Sequence, residues 1–437
     1  MFRAFFISHL MQKIPQLYSK FLKSTGVSTD TRSLKKDSIF FALKGENFDG
    51  NRFANEALKK GAMLVVSDDE NQKGDSITIV NNALETLQKL ASYHRKQINI
   101  PIIAITGSNG KTTTKKLILE VLSKEFEVAA TKGNLNNHIG VPLTLLSFSA
   151  KLDFGIVEMG ANHQKEIEAL CEIARPNYGY ITNFGKAHLE GFGGVEGVIK
   201  GKSELYEFLK RSEGLIFFNR DDDIQVEKAI QQKNYSIGSK PLSGCQVILL
   251  DSQPTVTVGY ENLSIKSQLI GNYNFKNISA AIGIGRYFNT SRNHIKEAIE
   301  AFEPEEMRSQ LIKKDNKKIL LDAYNANPTS MQAALESFDQ MTTEKKTVIL
   351  GDMFEIGADA LKEHLLIIDL CQSLDFETII VCGEEFHKAA SDVDSIKSFK
   401  STSEAKSYLK THNSVLTPHI LIKASRGMAL ETIVDVL

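Results

Sequence analysis

Gly107-Ser108-Asn109-Gly110-Lys111-Thr112-Thr113 brings two glycines, a lysine and two threonines into one short loop. It follows the β-branched run Ile102-Ile103-Ala104-Ile105 and precedes a stretch with Leu117, Ile118, Val121 and Leu122 on one helical face. Strand, glycine turn and helix in that order make a cradle for nucleotide phosphates. Backbone N–H groups and the helix N-terminus meet the anion, Lys111 reaches the outer phosphates, and the Thr112 hydroxyl suits Mg²⁺. The common form has four residues between the first glycine and Gly-Lys; here only Ser108 and Asn109 intervene, a shorter variant.

Other residues with chemical potential fall where strands end. Asp153 to Glu158 reads as a strand closing on a carboxylate, and ligands of doubly wound sheets bind at such carboxyl ends. Glu158 is thus a candidate ligand for Mg²⁺, a hard cation that prefers oxygen, or else an ordinary strand-end carboxylate. Tyr180 to Asn183 is the next strand, and its loop carries His188, either a second metal ligand or a solvated imidazole. Lys200 and Lys202, on the following helix, either contact phosphate or form a solvated face. Asn272, Asn274 and Asn277 gather at a helix start, where amides suit caps and also adenine edges. Arg308 and Asp322 are placed to close on a nucleotide from across a cleft.

Three α/β units are needed to position these groups. Residues 1–98 form a small N-terminal unit, with strands at 38–43, 63–66 and 77–80 and helices at 51–60 and 83–95. Its polar clusters, 28–32 and 44–51, either hold a ligand or are plain turns, and composition favours turns. Pro101 marks the boundary to residues 99–304, where strand and helix alternate as in a mainly parallel, doubly wound sheet. Within it, 247–250, 255–258 and 263–269 read as a short antiparallel appendage. After Glu303-Pro304-Glu305-Glu306 comes a third, smaller Rossmann-like α/β unit, residues 305–437, ending in a helix at 427–436.

The chain has 437 residues, 42% hydrophobic and 24% charged, the composition of a soluble multidomain protein. A net charge of −1 gives no footprint for nucleic acid, and no run is long and apolar enough for a membrane span. Cys171, Cys245, Cys371 and Cys382 are scattered without a C-x-x-C pair and read as buried thiols of a reducing cytoplasm. Residues 1–10 are apolar but lack a clear basic region and a cleavage site, so they do not read as a signal peptide. Met11, which opens an amphipathic helix reaching Leu22, is an alternative start to Met1.

Longer runs carry a family likeness. They are Asp30-Thr31-Arg32 with Phe40 to Gly50, Thr106 to Thr113, Gly133 to Asn137 with Ile139 to Pro142, and Glu158 to His163. Ala187 to Gly193, Asn274 to Asn277, Asp322 with Tyr324 to Pro328, and Leu350 to Met353 with Glu355 continue the series. Together they resemble the Mur ligases of bacterial cell-wall synthesis over essentially the whole chain from about Met11. Tyr324-Asn325-Ala326-Asn327 and Gly351-Asp352-Met353 are most similar to members that add D-alanyl-D-alanine. Departures are Asn51 where many members have histidine, Lys165 for a common glycine, expected to be harmless, and Leu321 for an acidic residue.

The resemblance implies an ATP-driven amide ligation in the cytoplasm by a monomer. The free carboxylate of UDP-N-acetylmuramoyl-tripeptide would form an acyl phosphate, which the amine of D-alanyl-D-alanine then attacks. It assigns Gly107, Ser108, Asn109, Gly110, Lys111, Thr112 and Thr113 to ATP, with Asn274, Asn277, Arg308 and Asp322 near the adenosine and phosphates. It gives Thr112 and Glu158 to one Mg²⁺, and His188 to a second that Lys202 would approach as a carbamate. Lys111, Glu158, His188 and Lys202 would carry the catalysis. Ser28, Thr29, Asp30, Thr31, Arg32, Lys44, Gly45, Asp49 and Gly50 resemble the uridine-nucleotide pocket. Asn136, Asn137, Asn162 and His163 would line the peptidyl path, and Tyr324, Asn325, Asn327, Ser425 and Arg426 the D-alanyl-D-alanine site. Two competing readings are folate polyglutamate ligation, which shares the cradle but lacks such an N-terminal unit, and a nucleotide-dependent switch or motor ATPase.

Overall fold

The computed structural model describes residues 14–305, 307–341 and 345–437. The expectations for residues 1–13, including the helix start at Met11, and for Glu306 lie outside these. Residues 14–21 are helical. Three α/β domains follow, each built on its own sheet.

The N-terminal sheet is wholly parallel, in the order Val27–Ser28, Ile39–Phe41, Leu64–Ser67 and Ile77–Ile79. The short strand Val27–Ser28 has too little length for a periodicity signal. The segment read as a loop before Gly50 is a small hairpin, Lys44–Gly45 paired with Phe48–Asp49. The helix expected at 51–60 is a 3₁₀ turn, Gly50–Phe53, leading into the helix Ala54–Lys59. Gly50 admits no side chain, because a Cβ there would lie 2.5 Å from the Leu43 carbonyl.

The central sheet has nine strands. Six parallel strands run from Val128–Ala130 through Phe154–Glu158, Ile102–Thr106, Tyr178–Ile181 and Leu215–Asn219 to Asn234–Gly238. Three of them, Ile102–Thr106, Phe154–Glu158 and Leu215–Asn219, are buried at every residue, which explains their continuous apolar spelling. The antiparallel strands Cys245–Asp251, Thr257–Tyr260 and Leu263–Lys266 are not an appendage. Cys245–Asp251 pairs in parallel with Asn234–Gly238 and so extends the main sheet. The intervening strand Asn234–Gly238 and helix Asp223–Ala229 went unread in the sequence because their apolar residues are few.

The helix Lys111–Leu122 packs on one face of this sheet beside Asn274–Tyr287, sharing a core of Ile103, Ile105, Leu117, Ile118, Val121, Ile278 and Ile282. Register aligns Ile105 with Glu158 and Ile181 with Thr106, so three strands end together at one sheet edge. That alignment puts the loops after Thr106, Glu158 and Ile181 side by side.

The C-terminal sheet has six strands: Gln310–Lys314, Lys317–Asp322, His419–Lys423, Lys346–Gly351, Thr378–Cys382 and Ile396–Phe399. Only the first pair is antiparallel. Both edge strands, Gln310–Lys314 and Ile396–Phe399, are lysine-bearing and half exposed, a pattern that hides them from an apolar reading. The expected final helix is instead two 3₁₀ segments, Arg426–Met428 and Leu430–Val436. The four cysteines are buried free thiols, as expected. Among the described residues no helix is long and apolar enough to cross a membrane.

Candidate active site

Thr106 ends its strand, and Gly107 and Gly110 turn the chain with φ of 138° and 78°. The space around both is closed. A Cβ on Gly107 would lie 2.0 Å from Thr182 Oγ1, and one on Gly110 would lie 2.5 Å from Asn277 Oδ1. The neighbouring strand end clamps the turn. The Ser108 and Asn109 amides donate to Asn183 O (3.0 Å) and Oδ1 (3.2 Å), and the Thr182 hydroxyl donates to Asn109 O (2.5 Å). The cradle is therefore held from outside by the neighbouring strand end.

Lys111 opens the helix and folds back over the turn, donating to Gly107 O (2.7 Å) and Ser108 O (3.1 Å). Burial pulls its ammonium down to about 8; Glu158 opposes that fall and Arg308 adds to it. At the next residue of the same helix, Thr112 Oγ1 donates to Glu158 Oε1 (3.2 Å), which also accepts from the Asn136 amide (2.8 Å). Lys115 Nζ lies 3.1 Å from Glu158 Oε2 in an ion pair closed to solvent, and it also donates to Gly133 O (3.3 Å). Among the described residues this buried oxygen has a counter-charge but no hydrogen-bond donor. Burial pushes Glu158 up, but Lys115, Lys111 and the Asn136 amide outweigh it and hold the carboxyl below its usual range.

Asn274 and Asn277 sit beneath the cradle with their amides used internally. Asn274 donates to Ile270 O (2.8 Å), Asn277 donates to Asn274 Oδ1 (2.8 Å), and Thr114 donates to Asn277 Oδ1 (3.0 Å). Lys202 is buried, with one hydrogen bond, to Ala161 O (3.1 Å), and its ammonium over the Phe192 ring at 4.9 Å. Burial, then repulsion from Lys111, drives it well below the ordinary lysine value. His188, at φ 53°, pairs through Nδ1 with Glu355 of the C-terminal domain rather than with Glu158. Among the described residues no three His, Cys, Asp or Glu side chains converge as a metal cluster.

The C-terminal domain reaches the cradle directly. Asn109 and Asn327 exchange amide hydrogen bonds of 3.3 and 2.6 Å. Asn327 at the same time caps the helix Pro328–Asp339 through Ser330. Lys186 adds an ion pair with the buried Glu363 (2.6 Å), and its backbone amide donates to Thr329 (2.9 Å). The Arg308 guanidinium stacks on Tyr324 at 3.6 Å, and among the described residues its buried Nε has no hydrogen-bond partner. Asp322 is bound by the buried Lys423 (2.5 Å).

Comparison with known proteins gives the family. Three family models match in sequence order: "Mur ligase family, catalytic domain" over residues 23–106, "Mur ligase middle domain" over 105–285 and "Mur ligase, glutamate ligase domain" over 307–426. A UDP-N-acetylmuramoyl-tripeptide–D-alanyl-D-alanine ligase of Bacillus subtilis is 33% identical over 94% of this chain and 92% of its own. The Escherichia coli protein of that name is 30% identical over 94% and 93%. The chain belongs to the Mur ligase family. A crystal structure of MurF from Acinetobacter baumannii superposes with a TM-score of 0.84 at 29% identity, covering 94% of this chain and 92% of that one.

The remaining candidates divide by what already holds them. Asp30 grips Arg32 in a bidentate pair (2.6 Å), while Thr31 donates to Glu56 and Ser28 to Asp30 O. Thr29 lies between them, half exposed. Lys44 pairs with Asp68 (3.1 Å) beside Gly45 at the hairpin, and Asp49 caps the 3₁₀ turn. Asn51 is buried among Asp49, Ser67 and Asp68. The Asn137 side chain accepts from the Ile139 and Gly140 amides, a purely local cap. Asn162 and His163 are exposed beside Glu166. Asn325 accepts from Ala326, Ser425 is buried under Phe354, and Arg426 pairs with Glu431 (2.6 Å). Lys165 takes φ 73°, the left-handed backbone that glycine adopts freely, and Glu204 ties down its amide (2.6 Å). That departure therefore carries strain.

Sequence reading missed Lys115, Thr182, Asn183, Glu363 and Lys423, and gave Glu355 no role. Lys115 alone had a signal: it lies one helical turn from Lys111 and so shares its face.

Proposed function

We propose that this chain joins D-alanyl-D-alanine to UDP-N-acetylmuramoyl-tripeptide with ATP as co-substrate, giving the pentapeptide, ADP and phosphate. The observation that carries the reading is the clamped cradle Gly107 to Thr113 with Glu158 across from Thr112, within a chain that matches such ligases along its length. Lys111 neutralises the outer phosphates as the tripeptide carboxylate approaches, since two anions must meet. Attack on the γ-phosphorus gives an acyl phosphate and ADP. The amine then attacks the acyl carbon and phosphate leaves. The Asn109–Asn327 pair shuts the C-terminal domain over the cradle, which keeps water from the acyl phosphate.

The donor set fits Mg²⁺: Thr112 Oγ1 and Glu158 converge, and Glu158 Oε2 is a buried oxygen without a hydrogen bond. When bound, the ion would neutralise phosphate charge and polarise the phosphoryl group. His188 and Lys202 are assigned to a second Mg²⁺, Lys202 after carbamylation. Its burial favours the neutral amine, the form that adds CO₂. Mass measurement on Lys202, and rescue of Lys202→Ala by short carboxylic acids, test that assignment; an unmodified lysine and no rescue would end it. The N-terminal clusters are assigned to the uridine end and the C-terminal ones to D-alanyl-D-alanine. We further propose that the protein is cytoplasmic and monomeric.

The decisive assay is phosphate release. A ligase requires both the UDP-tripeptide and D-alanyl-D-alanine, whereas a switch ATPase hydrolyses ATP without them. Running the assay with diaminopimelate and lysine acceptors identifies the third residue. Lys111→Ala is expected to lower turnover on the order of 10³-fold. The N-terminal domain, residues 23–106, disfavours a folate polyglutamate ligase, which begins almost at its phosphate loop.

A further inference from the structure

At the end of the central sheet opposite the cradle, the amino ends of Tyr178–Ile181, Leu215–Asn219 and Asn234–Gly238 border a cavity of about 470 Å³. The last turn of the helix Ala83–Ile98 closes one side. Four cations line it, Arg95 and Lys96 from that helix and Arg175 and Lys233 from the central domain, against one carboxylate, Glu213. Among the described residues none of the four has a carboxylate within 4.0 Å.

Arg95 is the built part of this site. It is buried, and its Nε donates to Ala174 O (2.9 Å) while Nη2 donates to Arg175 O (3.1 Å) and Asn177 Oδ1 (3.0 Å). These bonds fix the guanidinium plane, and among the described residues Nη1 makes no hydrogen bond. Burial, and then repulsion from the neighbouring Arg175, pull Arg95 down to about 10. Arg175 and Glu213 both hold the left-handed backbone, at φ 44° and 56°, on the cavity rim.

We propose that this cavity binds a multiply charged phosphate anion, with Arg95 as its fixed floor and Lys96, Arg175 and Lys233 as its exposed rim. Its volume suits a small diphosphate, and guanidinium groups match phosphate oxygens in pairs. The ligand would tie the N-terminal domain's helix to the central sheet, remote from the reacting groups, and so act as an effector rather than a substrate.

The test is calorimetric titration of the full chain with pyrophosphate, without magnesium. The Lys111→Ala background weakens the cradle's own claim on the probe. One class of site is expected, weakening with added salt and losing about tenfold or more in affinity in Lys111→Ala/Arg175→Ala/Lys233→Ala. Arg175 and Lys233 are exposed, so the melting curve of the triple variant should overlay that of Lys111→Ala. No heat at millimolar pyrophosphate in the Lys111→Ala background overturns the proposal. So does binding that the two further substitutions leave unchanged.

Discussion

Lys115→Met isolates the buried pair on which the cradle's carboxylate depends. Methionine keeps most of the aliphatic stem but removes the ammonium that pairs with Glu158 Oε2, 3.1 Å away and closed to solvent. The carboxylate then has two options, to stay ionised without its partner or to take up a proton. Protonation at pH 7 of a group whose ordinary value is 4.5 costs about 3.4 kcal/mol, at 1.36 kcal/mol per unit. That sets a ceiling, and residual attraction from Lys111 trims it to about 3 kcal/mol, in line with losses of about 3–5 kcal/mol when a buried pair loses one member. For a unit the size of the central domain this is about 6–12 °C in melting temperature by calorimetry.

The pH dependence has a definite sign. In the native chain Glu158 is held below its unfolded value, so its contribution is present above 4.5 and lost as pH falls through the lower folded value. In Lys115→Met the folded value rises instead. The folded state then binds more protons than the unfolded one, and stability falls as pH climbs above 4.5. The gap between variant and parent should therefore widen from pH 4.5 to 7. Adding Glu158→Gln should close most of it, because a neutral amide needs no counter-charge. A loss under about 1 kcal/mol at pH 7, or a gap that does not change with pH, would show that Lys111 and Asn136 suffice and refute the argument.

The free-enzyme value of about 8 for Lys111 makes its charge sensitive to mild alkali: kcat/KM for ATP should fall as pH rises through about 8, while kcat, set in the nucleotide complex, holds to higher pH. Gly110→Ala places a Cβ 2.5 Å from Asn277 Oδ1 on a backbone at φ 78°; equilibrium binding should show ATP affinity lost with the C-terminal domain's melting unchanged. Asn327→Ser keeps a side chain that caps helices but breaks the exchange with Asn109, whereas Asn327→Ala removes both. Single-turnover kinetics should slow in both variants, and only the alanine variant should lose about 1 kcal/mol of stability.

What the sequence disclosed follows from how local the governing physics was. The cradle was legible because strand, glycine turn, Lys111 and helix are contiguous, and fully buried strands such as Ile102–Thr106 spell themselves in β-branched residues. The strands at sheet edges were not, since lysines on Gln310–Lys314 and Ile396–Phe399 read as surface. The hairpin at Lys44 is closed by Gly50 packing against Leu43, a contact that no apolar alternation announces. Glu158 was found by its place at a strand end, but its partner Lys115 was hidden in a run of polar helix residues, Thr112 to Lys116. Lys423 ends a strand, and nothing before the parallel pairing of His419–Lys423 with Lys317–Asp322 announces that it will be buried on Asp322.

The contacts between domains converge on the cradle itself. Asn109 stands between the two cradle glycines, and its side chain is the one that Asn327 grips. Lys186 and His188, from the loop after the clamping strand, hold Glu363 and Glu355 of the same C-terminal domain. The backbone that shapes the phosphate turn thus also carries the latch, for Asn183 binds the Asn109 amide from one side while Asn327 binds its side chain from the other. A nucleotide that orders this turn lowers the cost of docking the C-terminal domain, and docking in turn restrains Asn109 for the nucleotide. By linkage, the two must favour each other by the same factor. Breaking the Asn109–Asn327 exchange should therefore weaken ATP binding as well as closure, even though Asn327 belongs to the domain assigned to the amine substrate.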